Sequence, residues 1–281
     1  MSLGFDPISV LSLPDGTTVE ERDLVTENDV LVGGQSRVEF GIRGNNVMAG
    51  ERVQFGGHIE ARGDCRLDMW STVQGNVLVG QDAYLGERVS IDGRLMVSGD
   101  LDIGDDVQIA DGFEANGWIV IRNPMPTIVF LFIYLTQLLR VGEETAAEEL
   151  LSEIMENEEA SEQPLCIPRG AEVSDDRWQV STPARIGSAC RLHGNIRAAE
   201  IDLGEETELF GSLRARESIE VATGAIIHGD VSTRADVILG DGVAIRGDVA
   251  CHDVELGDDV EVDGSIRASG SVTFAGDTAE E

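Results

Sequence analysis

The sequence predicts an all-β chain of two parallel β-helices, each with three short strands per 17- or 18-residue turn, joined by a helical segment. Three observations predict it. Apolar residues recur in fixed columns over residues 47–121 and again after residue 184, and glycines keep step with them. The composition is poor in bulky packing residues, with 33 Gly against 5% aromatics. A constant long period marks a stacked repeat, in which each turn is buried by its neighbours.

In the first array the columns run at intervals of 18. Val47, Cys65, Ala83, Leu101 and Ile119 form one, and Ala49, Leu67, Leu85, Ile103 and Ile121 another. Phe55, Val73, Ile91 and Ile109 follow, then Ile59, Val77, Leu95 and Phe113, then Ala61, Val79, Val97 and Ala115. In the remaining column, Val53, Ser71, Val89 and Val107, only Ser71 breaks the apolar pattern. Within a turn the spacing alternates between two and four. A step of two is an extended strand with one buried face, and a step of four leaves room for a corner, so three short strands make a turn.

The second array repeats this grammar in turns of 17 or 18. Ile201, Ile219, Val237, Val254 and Val272 stack beside Leu203, Val221, Leu239, Leu256 and Phe274. Leu192, Leu209, Ile227, Ile245 and Val262 make a further column, and Ile196, Leu213, Val231, Val249 and Ile266 another. Gly57, Gly75 and Gly93, and later Gly194, Gly211, Gly229, Gly247 and Gly264, are expected at corners that demand a positive φ.

Between the arrays, Arg122 and Arg140 bracket an uncharged run centred on Ile128, Val129, Phe130, Leu131, Phe132, Ile133, Tyr134 and Leu135. As a helix it spans about 26 Å, short of a hydrocarbon core of about 30 Å. It is expected to pack over the open end of a β-helix, with membrane association through 123–140 or a partner contact as alternatives. An acidic amphipathic helix follows, with Ala147, Leu150, Leu151, Ile154 and Met155 on one face, and then a linker. The expected organisation is 1–122 (first β-helix with an N-terminal cap), 123–165 (helices and linker) and 166–281 (second β-helix with a short acidic tail).

Composition limits function. With 53 acidic against 20 basic residues, a net charge of −33, and every basic residue an Arg, the chain should repel nucleic acid and anionic membrane surfaces. The same imbalance points to a salt-loving host, where a short screening length quenches self-repulsion. The N-terminus lacks the basic start and apolar run of a secretory signal, so a cytoplasmic, at most membrane-peripheral, location is expected. Cys65, Cys166, Cys190 and Cys251 show no C-x-x-C spacing and are read as reduced fillers.

Six-residue apolar spacing is also used by hexapeptide acyltransferases and γ-class carbonic anhydrases, so an enzyme is the alternative reading. Such enzymes need a histidine base, or three histidines on zinc. Here His58, His193, His228 and His252 share no such setting and are read as corner residues facing solvent. The GDD steps ending at Asp106 and Asp259 are read as solvated surface rather than calcium ligands. No catalytic residue, metal or cofactor is expected.

Stretches such as DVELGDDVEVDGSI and NVLVGQDAYLGERVSIDGRL, without catalytic residues, resemble the bactofilin family of polymer-forming cytoskeletal proteins, and the composition resembles its archaeal, halofilin branch. The resemblance implies right-handed β-helices that polymerise end to end without nucleotide, as a scaffold for cell shape, with other copies or a partner scaffold protein. The chain departs from the family in carrying two arrays and no N-terminal apolar peptide. End turns leave strand edges and apolar columns open. Val272 and Phe274, in the last turn, are therefore the first candidates for self-association. Val30, Val32, Val38 and Phe40, in a stretch where the period slips, are the second, as a cap or first irregular rung.

Overall fold

The computed structural model describes residues 8–122 and 163–274. Among these, every regular element is a short strand, and successive turns stack as a β-solenoid. The joining segment and the acidic amphipathic stretch expected between the arrays lie outside the described residues. Two compact units are present: Met1–Ser9 with Arg22–Gly170, and Val10–Glu21 with Ala171–Glu281.

In the first unit one face stacks Leu165–Ile167, Val30–Val32, Val47–Ala49, Cys65–Leu67, Ala83–Leu85, Leu101–Ile103 and Ile119–Ile121, each parallel to the next. The other faces carry Gln54–Phe55, Thr72–Val73, Ser90–Ile91 and Ile59–Ala61, Val77–Val79, Leu95–Val97 in the same register. Cys65 faces Val47 on one side and Ala83 on the other, so the predicted columns are the observed ladders. Their members are buried as far as Leu101, with Val77, Leu85 and Leu95 fully so, while Phe113, Ile119 and Ile121 in the last turn are exposed.

The second unit is built alike. One face stacks Leu11–Leu13, Ala184–Ile186, Ile201–Leu203, Ile219–Val221, Val237–Leu239, Val254–Leu256 and Val272–Phe274. One antiparallel pair, Glu172–Val173 with Arg177–Gln179, seats the fully buried Trp178, whose indole donates to the His193 carbonyl at 2.9 Å.

The units do not follow the divisions at 122 and 166. Leu11–Leu13 pairs with Ala184–Ile186, and Thr18 with Arg191, so an N-terminal segment completes the second unit. Leu165–Ile167 pairs with Val30–Val32, so residues from beyond the joint complete the first. Alternation within a strand does not reveal which distant strand supplies its neighbour.

Corner chemistry differs from expectation in an informative way. Of the corner glycines singled out, only Gly194 has a positive φ, at 96°. Gly57 is required by close approach: a Cβ there would lie 2.4 Å from the Gly41 nitrogen one turn away. The left-handed position instead forms its own column, Gln35, Arg52, Trp70, Arg88 and Asp106 in the first unit and Ala189, Glu206, Gly224, Gly242 and Asp259 in the second. Asp106 and Asp259 are thus turn residues.

Short polar side chains, most of them carboxylates, serve as rung ties. Asp29 accepts the backbone N–H of Asn46, Asn46 that of Asp64, Asp64 that of Asp82, Asp82 that of Asp100 and Asp100 that of Trp118, at 2.7–3.0 Å. In the second unit Asn195, Ser212, Asp230 and Asp248 do the same for Ser212, Asp230, Asp248 and Ser265. Each tie satisfies a corner amide that no strand ladder reaches. Ser71 has a related role inside: fully buried, its hydroxyl donates to the Gly50 carbonyl and accepts the Val53 N–H. Thr207 bridges the Gly187 carbonyl and the Cys190 N–H in the second unit.

Candidate functional site

The last turn of the second unit continues every column without a cover among the described residues. Val272 and Phe274 pair with Val254 and Leu256. Yet they are 47% and 56% exposed, whereas Val254 and Leu256 are at 1% and 7%. Ile266, continuing the column of the fully buried Val249, is also exposed. Among the described residues Val272–Phe274 pairs on one edge only, leaving a row of backbone donors and acceptors beside exposed apolar side chains. Such an edge is a template for another parallel strand.

Sequence reasoning placed Val272 and Phe274 there and missed a second patch. In the first unit the last turn exposes Phe113, Trp118, Ile119 and Ile121, the tryptophan by 79%. The available signal was the stop of the columns at Ile121. The run Ile128 to Leu135, expected to cover an end, lies outside the described residues. Val30, Val32, Val38 and Phe40 stand elsewhere than proposed: all four are buried, Val30–Val32 with Leu165–Ile167 stacked on one side and Val47–Ala49 on the other, and Val38 paired with Phe55 of the next turn. They are interior rungs, not a free end.

The histidines are held at corners. His193 and His228 sandwich the Phe210 ring, with centroid distances of 4.9 and 4.4 Å, and His228 contacts Glu208 at 3.1 Å. His58 Nδ1 accepts the Asn76 N–H, and His252 Nδ1 lies 2.9 Å from the Ser269 hydroxyl. Among the described residues no group of three His, Cys, Asp or Glu side chains is placed to hold a metal ion. Burial pushes the Cys65 and Cys166 thiols up to about 12 and that of Cys190 to about 11, so these sulfurs are poor nucleophiles. Asp248 and Asp253 are held below the usual carboxylate range, chiefly by the backbone N–H groups of Ser265 and Ser271, which they accept.

The described residues contain no helix long and apolar enough to cross a membrane. Comparison of the chain with protein-family models, curated proteins and solved structures gives no significant match.

Proposed function

We propose that this chain is a non-enzymatic, polymer-forming scaffold of the bactofilin kind, which self-associates through β-helix ends without nucleotide and contributes to cell shape in the cytoplasm of a salt-loving archaeon. The observation that carries the reading is the uncovered last turn of the second unit, where Val272, Phe274 and Ile266 extend buried columns into solvent. A second copy is the occupant that fits, because its end strands supply both the missing backbone partners and the next member of each column. The high acidity agrees with assembly in concentrated salt, where like-charged copies approach without strong repulsion.

Sedimentation velocity in about molar KCl, without nucleotide, tests it. The wild-type chain should sediment as long polymers and Phe274→Asp as small species with an unchanged circular dichroism spectrum. Polymers that persist in Phe274→Asp and in Val272→Asp would place the contact elsewhere; a discrete trimer in the wild type would replace the reading with a hexapeptide-type assembly.

A further inference from the structure

In a chain where carboxylates outnumber arginines by 53 to 20, four arginines of the second unit converge on one groove. Arg197, Arg214, Arg216 and Arg234, with Ser232 and Thr233, line a depression of about 400 Å³ floored by the buried Ala198 and Ala215. Register places them. Arg197 stands directly opposite Arg214 on the adjacent turn, and Arg214 opposite Ser232 on the next. The same offset sets Arg216 beside Arg234. The result is two short rows of arginines on turns whose backbones stack about 4.8 Å apart, with small residues between them.

Elsewhere on this unit arginines face carboxylates: Arg185 meets Asp202 at 3.7 Å, Arg191 meets Glu208 at 3.4 Å and Arg246 meets Asp263 at 3.3 Å. In the groove, the side chains of Arg197, Arg214 and Arg234 make no ion pair or hydrogen bond among the described residues, and that of Arg216 donates to the Ser181 carbonyl at 2.6 Å. Like charges directly opposite one another destabilise a strand pair. The fold tolerates them here in place of the carboxylate–arginine pairing it uses on its other faces.

We infer that this groove binds a phosphoryl group. Planar guanidinium forks on neighbouring turns bracket a tetrahedral oxyanion and donate in pairs to its oxygens, and the Ser232 hydroxyl stands next in the column to add a further donor. Four positive charges match a phosphate ester or pyrophosphate of charge −2 to −4. A small ligand fits better than an extended polyanion, which would have to run onto the acidic surface beyond the groove.

The test is calorimetric titration of inorganic pyrophosphate into the full chain at low salt, beside flotation with phosphatidylglycerol vesicles to separate a soluble phosphate from a lipid headgroup. Saturable binding is expected in the titration, at least tenfold weaker in the Arg197→Gln, Arg214→Gln double variant and unchanged in Arg185→Gln. Binding to vesicles that falls in the same double variant would assign the phosphoryl group to a lipid. Circular dichroism confirms that the variants are folded. No saturable binding in either arm, or equal binding by the double variant, would overturn the inference.

Discussion

Replacing Asp82 separates the two effects that act on a rung tie. Its carboxylate accepts the Asp100 N–H at 2.7 Å, while Asp64 and Asp100 occupy the same corner one turn to either side. At a spacing of about 4.8 Å each neighbouring carboxylate repels it by about 0.9 kcal/mol in water, about 1.7 for the two. Screening reduces that sum to about 1 kcal/mol at 0.15 M salt and to about 0.3 at 1 M. Asp82→Asn keeps the acceptor and removes the charge, losing about 1 kcal/mol because a neutral acceptor binds an N–H less strongly. The two terms cross: the variant should be more stable than wild type by about 0.5 kcal/mol at 10 mM KCl, equal near 0.15 M and less stable by about 0.6 at 1 M. Asp82→Ala removes the same charge but also loses the bond and strands the Asp100 amide, so it should lie below Asp82→Asn by about 1–3 kcal/mol in every salt. Urea unfolding followed by circular dichroism at the three salt concentrations reads both. Equal shifts for Asn and Ala, or an Asn shift that ignores salt, would refute the reasoning.

The other predictions concern single contacts. Ser71→Ala removes the hydroxyl shared by Val53 and Gly50 inside a dry column and should cost about 1–3 kcal/mol in the same urea assay. Gly57→Ala forces a Cβ to within 2.4 Å of the Gly41 backbone, which cannot move without shifting its turn; a loss of thermal stability larger than for Gly16→Ala, where nothing lies within 4 Å and the strain is that of a φ of 68° alone, is expected from calorimetry. Asp248 and Asp253 have carboxyls held below their unfolded value of 3.8, so their ties are fully formed above that pH and are lost as pH falls below it. Asp248→Asn should therefore flatten the acid limb of the stability profile below pH 4.

What the sequence reveals depends on how local the cause is. The columns from Val47 to Ile121 and from Ile201 to Phe274 are legible because burial imposes a strict period on every turn. Ser71 is legible as an exception, but its partners are backbone groups at positions 50 and 53, which carry no side-chain signature. Gly57 reads as a corner, while the reason for it, the Gly41 backbone one turn away, is visible only in three dimensions. The tie residues Asp64, Asp82 and Asp100 recur at 18 and could have been found, yet in so acidic a chain their period is masked by the other carboxylates. The burial of Val30 and Val32 escaped because the neighbour of Val30–Val32 is Leu165–Ile167, far along the chain. At the candidate site Val272 and Phe274 were legible as the last members of columns, whereas Trp118 belongs to no apolar column.

Negative-stain imaging of the purified full chain in about molar KCl, without nucleotide, tests the central claim most directly. The account predicts unbranched filaments as wide as a single β-helix, lost in Phe274→Asp; compact particles with threefold symmetry, unchanged by that substitution, would contradict it.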